Sequence, residues 1–447
     1  MASPPLGTSA PGADNLTLTF TAGAASFTLT TADVGKYLIN LRDSAAGNTD
    51  GSSATITTRP FAVVASAIKK GATNNPGGTA GAGSKFIAAA DTFEATVGAY
   101  LWSSTADGGT GSDGLPGDGL PDVSATLAQI TAAGAAPAYR VSTTLSAANP
   151  ITPAAGALGT LSNGVQSGAC PTGSPNCFTG GVATPTNLSY NDVGSFTLGI
   201  AANFLGVDLA AEGRTIVFDN SPTPARSAVI GRLYPDHFTL TTSSITPFCN
   251  GFTYMGQAGL GYTLKIEARN LANALTGNYG AGYATGTVAL LAENSNNGTD
   301  LSARLTGPSA SWASGAYDLT TMATTTFSRL ASPDGPYESL QIGVSVTDAD
   351  GPVLAGRDMN PATSGACGGS CTGVALGTTK ARFGRMRLLP GTGTASTNLP
   401  VTIRAEYYSG GFVVNDLDSC TTLSQENISL GGHTSNLLPA SACKTRA

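Results

Sequence analysis

The feature that most limits the folds open to this chain is a period of two in its apolar residues. Tyr262-Thr263-Leu264-Lys265-Ile266-Glu267-Ala268 alternates apolar and polar side chains without a break. Val401-Thr402-Ile403-Arg404-Ala405-Glu406-Tyr407-Tyr408 does the same, with Val401, Ile403, Ala405 and Tyr407 on one face. After the turn Ser409-Gly410-Gly411, the run Phe412-Val413-Val414-Asn415 returns as a hairpin. Successive side chains of a strand point to opposite faces, so such runs lay one face on a core. Leu16–Phe20, Ser26–Leu29, Tyr37–Leu41, Ala54–Thr58, Thr287–Leu291 and Tyr337–Val344 read as further strands. One short helix is expected at Val123–Ala132, and long amphipathic helices are nearly absent. The fold class is therefore all-β: tandem Ig-like or jelly-roll-like β-sandwich domains with long Gly/Ser/Thr-rich loops.

Composition narrows the function. Only 11% of the 447 residues are charged, well below the roughly 25% of an average soluble domain. The net charge is −6 and the 22 Lys and Arg are scattered, which argues against nucleic acid and anionic membranes as partners. No apolar run reaches the length of about 18 residues that a transmembrane helix needs. The opening MASPPLGTSAPGADN has neither a basic start nor an apolar core, so no signal peptide is read there. An exported chain of this kind is expected to derive from a longer precursor.

Three β-rich units are expected, at 1–64, 65–238 and 239–447. The stretch from Gly231 to Gly256 marks the entry to the last, with Pro235 and Pro247 interrupting regular structure and Tyr234, Phe238, Phe252, Tyr254 and Met255 as anchors. Asp33-Val34-Gly35 and Asp192-Val193-Gly194 each precede an aromatic strand, a short repeat in which Asp can satisfy turn amides and Gly can take positive φ.

Seven cysteines offer local pairs: Cys170 with Cys177, Cys367 with Cys371 in CGGSC, and Cys420 with Cys443. They are expected to form disulfides in an oxidising compartment, with Cys249 lacking an evident partner. The acidic glycine-rich run places Asp107, Asp113, Asp118 and Asp122 on a backbone of little bulk. Carboxylates in such a loop are what Ca²⁺ seeks, although their spacing is not that of an EF-hand; a solvated acidic turn accounts for the same residues. Arg382, Arg385 and Arg387 form the densest basic feature. Edge protection, with pairing to acids such as Asp416 and Asp418, is the preferred account over an anion site.

No catalytic constellation stands out. The only histidines are His237 and His433, and neither a GxSxG elbow, an HExxH zinc motif, a P-loop nor a dinucleotide fingerprint occurs. His237, beside Asp236, is assigned to the domain junction.

GRLYPDHFTL, PFCNGFTYMGQ, ARFGRMRL and LPVTIRAEYYSGGFVVNDLDSCT, in this order, resemble the C-terminal half of the MshQ-like proteins of the mannose-sensitive haemagglutinin type IV pilus system. The clear likeness spans about 231–425, and Arg59-Pro60-Phe61 and the Asp/Gly run at 107–122 extend it upstream. The resemblance implies an exported, pilus-associated protein at the bacterial cell surface. The expected function is thus a non-enzymatic structural protein or adhesin, partnered by pilus or filament subunits, by itself or by a surface glycan. The alternative is a carbohydrate-binding module in which Trp102, Trp312, Tyr407 or Tyr408 stacks on sugar. No cofactor is expected with certainty, Ca²⁺ being the one candidate.

Overall fold

The computed structural model describes residues 18–37, 40–42, 49–52, 55–108, 117–168, 174–221, 224–280, 282–394 and 397–429. The chain is all-β: two two-stranded sheets, Gly35–Tyr37 with Ile56–Thr58 and Asn40–Arg42 with Thr49–Ser52, then two sandwiches in succession and a small three-stranded sheet. One sheet of the first sandwich is ordered Val165–Gln166, Thr143–Thr152, Gly194–Phe204, Val207–Asp208, with Val229–Leu233 also on Gly194–Phe204. The facing sheet runs Thr215–Val217, Ala62–Lys70, Thr92–Tyr100, Leu188–Tyr190, Leu161–Ser162. All of these pairs are antiparallel except Thr215–Val217 on Ala62–Lys70. Between the sheets lie Val63, Phe93, Val97, Tyr139, Phe196, Ile230 and Leu233.

Ala62–Lys70 is buried on both faces, which explains its unbroken apolar run. Val63 and Ala65 enter the main core, whereas Ala62 and Val64 pack with Phe61, Ile130 and Phe218 in a second cluster. A helix at Leu127–Thr131 covers that cluster, shorter than the expected Val123–Ala132. It starts where Thr126 and Gln129 form a reciprocal capping box.

In the second sandwich, His237–Thr246, Leu260–Arg269, Ala316–Thr325 and Trp312–Ala313 form one sheet. Thr253–Tyr254, Val374–Arg382, Tyr337–Thr347 and Thr287–Asn294 form the other. The period-two reading holds residue by residue here: Tyr262, Leu264, Ile266 and Ala268 are buried, and Thr263, Lys265 and Glu267 are not. Trp312 sits in this core against Phe238, Tyr279 and Tyr317.

The divisions differ from those read in the sequence. A boundary between 64 and 65 would cut the strand Ala62–Lys70, and Val34 packs into the same core as Val63 and Leu233. Gly35–Tyr37 and Ile56–Thr58 form a separate two-stranded antiparallel sheet that packs on the first sandwich through Val34. Ser26–Leu29 joins no ladder and exposes Phe27 and Leu29. The core changes over between Leu233 and Phe238.

The Asp-Val-Gly repeat is a real local device. Val34 N donates to Asp33 Oδ1 at 2.7 Å and Val193 N to Asp192 Oδ1 at 2.8 Å, and both valines are buried. Gly194 has φ +108°, and a Cβ there would stand 1.9 Å from the Thr152 carbonyl oxygen. Only glycine lets the two strands approach so closely.

The sandwiches meet through buried polar bonds. The Arg232 guanidinium grips Asp350 with two nitrogens, and both side chains are under a tenth exposed. Burial works against the charge on Arg232, but its hydrogen bonds outweigh that and hold its pKa above the ordinary value. Tyr283 donates to the Leu233 carbonyl. Asn278 exchanges bonds of 2.8 and 2.9 Å with the backbone of Ala157, and Asn270 donates to the Asn191 carbonyl at 2.8 Å. His237 lies at this seam, its ring nitrogens 2.8 Å from Asp236 and 3.3 Å from Asn273.

Tyr139 gives an alkaline prediction. It is fully buried, 2.8 Å from the Thr143 hydroxyl, and burial pushes its phenol from near 10 up to about 12. The folded chain therefore holds this proton more tightly than the unfolded chain. The contribution is intact below about pH 10 and is lost as pH rises through about 12, at a cost of about 2–3 kcal/mol. Urea unfolding near pH 9 and near pH 12 should show that loss, and Tyr139→Phe should show less of it.

Candidate interaction surface at the C-terminal sheet

Past Arg382 the chain leaves the second sandwich and builds a three-stranded sheet, ordered Gly384–Leu388, Ile403–Tyr408, Phe412–Val414. The hairpin follows the sequence: Tyr408 pairs with Phe412, and Gly410 takes φ +71° in the turn. Gly384 makes the handover, because a Cβ there would stand 2.3 Å from the Tyr254 ring.

The three arginines are spent on internal partners, and these are not the expected Asp416 and Asp418. Arg382 is buried and binds Glu338 through Nε at 2.9 Å and Nη2 at 3.1 Å, and Asn415 at 2.6 Å. Its guanidinium lies 4.2 Å from the Tyr407 ring centre. Arg385 donates to Glu406 at 2.9 Å and lies 3.6 Å over Phe412, and Arg387 stands 3.8 Å from the same carboxylate. The partners lie across the ladder, where Arg385 is directly opposite Glu406. Asp418 instead accepts from Tyr254 OH at 3.0 Å and from the Cys420 and Thr421 amides at 3.1 and 2.9 Å. Burial opposes the charge of Asp418, but these bonds and the Thr421 hydroxyl hold its carboxyl below the usual range. Burial, with the nearby Asp418, pushes Tyr254 up to about 12.

The cysteine pairing also differs from the local pattern. Cys249 is bonded to Cys420, with Cα atoms 5.5 Å apart across 171 residues of sequence. This replaces the expected Cys420–Cys443 pair, and it gives Cys249 its partner. The bond ties the small sheet to the turn beside Thr253–Tyr254. Cys367–Cys371 forms as expected, with Cα atoms 5.0 Å apart. Cys177 is disulfide-bonded; Cys170 and Cys443 lie outside the described residues. Asp418 and the two sulfurs of Cys249 and Cys420 lie within 4.8 Å of one another, the one metal-like grouping of three among the described residues. Sulfurs joined to each other are not the thiolates a soft metal takes.

The two faces of the small sheet differ in kind. Arg385, Arg387, Arg404 and Glu406 share one face, where Glu406 pairs with Arg385, stands 3.8 Å from Arg387, and leaves Arg404 directly opposite Arg387. On the other face Met386 stands opposite Ala405, and Leu388 opposite Ile403. Met386 and Leu388 are 56% and 64% exposed, with Val401, Ile403 and Val413 exposed as well. A groove of about 490 Å³ runs beside them, lined in part by Met386, Ile403, Val414 and Leu423, with Arg404 and Asp418 among its polar groups. Tyr407, held under Arg382, and Tyr408, packed on Phe412, are only half-exposed.

The acidic run behaves as a loop organiser. Asp107 is 2% exposed; it accepts from Trp102 Nε1 at 2.6 Å and from the Gly117 and Gly119 amides at 3.0 and 2.9 Å. Asp118 accepts from the Leu120 amide at 2.8 Å, and Arg226 donates to the Asp122 carbonyl. Among the described residues these carboxylates do not gather into a group of three, and Asp113 lies outside them. Trp102 itself is 54% exposed.

These features define an all-β, disulfide-stabilised chain of tandem sandwiches with an apolar-faced terminal sheet. Residues 192–373 match the family model of the third domain of DUF6701, and residues 382–446 that of its fourth domain. The second match begins at Arg382, the last residue of the strand Val374–Arg382 and two residues before the small sheet. No curated protein matches the chain. Among the described residues no helix is long and apolar enough to cross a membrane.

Proposed function

We propose that this chain is a non-enzymatic, extracellular structural protein or adhesin of the bacterial surface, docked onto a pilus or other filament through its C-terminal sheet. The observation that carries this reading is the face of Met386, Leu388, Val401, Ile403 and Val413. It stays open to water, while the opposite face carries the charged side chains Arg385, Arg387, Arg404 and Glu406. A contiguous apolar patch on a folded surface marks a contact site. Among the described residues the strand Gly384–Leu388 pairs with Ile403–Tyr408 alone, so its other edge can accept an added strand. Disulfides suit an oxidising compartment. The resemblance to MshQ-like proteins supplies the pilus setting.

Co-sedimentation with surface filaments purified from producing cells tests the proposal. The full chain should pellet with filaments, and a Met386→Lys/Leu388→Lys double variant should remain in solution. A chain that never pellets, or a variant that pellets equally, overturns the docking site. The exposed indole of Trp102 supports the alternative, a carbohydrate-binding module, better than Trp312, which lies in the core. Retention on a glycan column that Trp102→Ala abolishes would favour that second reading.

A further inference from the structure

Away from that sheet, one carboxylate is in an unusual state. Glu293, near the end of the strand Thr287–Asn294, is 1% exposed, and its Oε2 atom has no hydrogen-bond partner among the described residues. An unpaired buried charge is unfavourable, because burial strips the ion of water and nothing replaces it. Its neighbours do not relieve it. Gln341 stands opposite on one side and Asp300 on the other. Burial, and then the charge of Asp300, push the Glu293 carboxyl above its ordinary range.

The chain between the two acids is Asn294-Ser295-Asn296-Asn297-Gly298-Thr299, dense in oxygen donors. A flap closes over this corner: Asn297 bridges to Ser364, and the Gly365 amide donates to the Asn296 carbonyl at 3.1 Å. The Cys367–Cys371 disulfide ties the same flap a few residues on.

We infer that Glu293 and Asp300 hold a hard divalent cation of the calcium class, which pins the flap to the loop. A cation between them would turn a repulsive pair into two ligands and satisfy the orphaned Glu293 oxygen. Oxygen donors without imidazole or thiolate select Ca²⁺ over transition metals. Exposed Asp300 leaves room for water in the shell, which Ca²⁺ accepts more readily than Mg²⁺ accepts an irregular site. Two carboxylates place the affinity at the weak end, about 10⁻⁴–10⁻³ M. This site is separate from the Asp107–Asp122 run and does not depend on the docking sheet.

Thermal unfolding of the full chain tests it. In 10 mM CaCl₂, Tm should exceed its value in EDTA by roughly 2–5 °C. NaCl at matched ionic strength should give no such rise. Glu293→Gln should remove the rise, and in EDTA should unfold no earlier than the parent, because the unpaired charge is gone. Asp300→Asn, at an exposed position, should weaken the response and decides the matter if Glu293→Gln does not fold. Asp118→Asn should respond like the parent. No calcium-dependent rise in the parent overturns the inference. So does a rise of equal size in Glu293→Gln or, where that variant does not fold, in Asp300→Asn.

Discussion

Replacing Arg232 by Met should destabilise the chain by about 3–5 kcal/mol, the largest loss expected from a single side chain here. The change leaves Asp350 buried, and the only cation on that carboxylate among the described residues is Arg232. Lys85 is close, but it donates to the Asp350 backbone carbonyl at 2.5 Å. The loss should fall on the seam between the sandwiches, so urea unfolding should become less cooperative as well as earlier. A second change, Asp350→Leu, removes the stranded charge. The double variant should therefore be more stable than Arg232→Met alone, since an apolar pair often replaces a buried ion pair at little cost. A single variant with unchanged midpoint would mean that the junction carries little of the stability.

The second large effect is expected at Cys249–Cys420. Because the bond closes a loop of 171 residues, the chain-entropy relation gives about 5 kcal/mol for removing it. A Cys249→Ser/Cys420→Ser variant should keep both sandwiches and lose protection of the small sheet. Limited proteolysis should then cut between Leu388 and Ile403 while leaving the Leu260–Arg269 region intact. Peptide mapping without reductant should recover a linked pair containing Cys249 and Cys420. Recovery of both as free thiols would contradict the pairing.

What the sequence disclosed was mostly local. Alternation at Tyr262–Ala268 specified which side chains are buried, because a strand face repeats every second residue. The Ser409-Gly410-Gly411 turn fixed the last hairpin, and Asp33-Val34-Gly35 with Asp192-Val193-Gly194 marked two equivalent strand entries. Long-range partners were not legible. Nothing near Cys249 points to Cys420, and Arg382 reaches Glu338 on a neighbouring strand rather than the acids that follow it in sequence. Ala62–Lys70 read as a unit boundary although it is one continuous strand, since a strand buried on both faces carries no alternation to show which core it serves. The burial of Glu293 was also hidden, because only the folded chain shows that this acid is 1% exposed and stands opposite Asp300.

The central claim is a place on the cell surface, and immunogold electron microscopy of intact producing cells tests it most directly. An antibody against residues 239–447 should label filaments along their length or at their ends. Label spread evenly over the envelope, or antigen confined to the soluble fraction, would contradict the account.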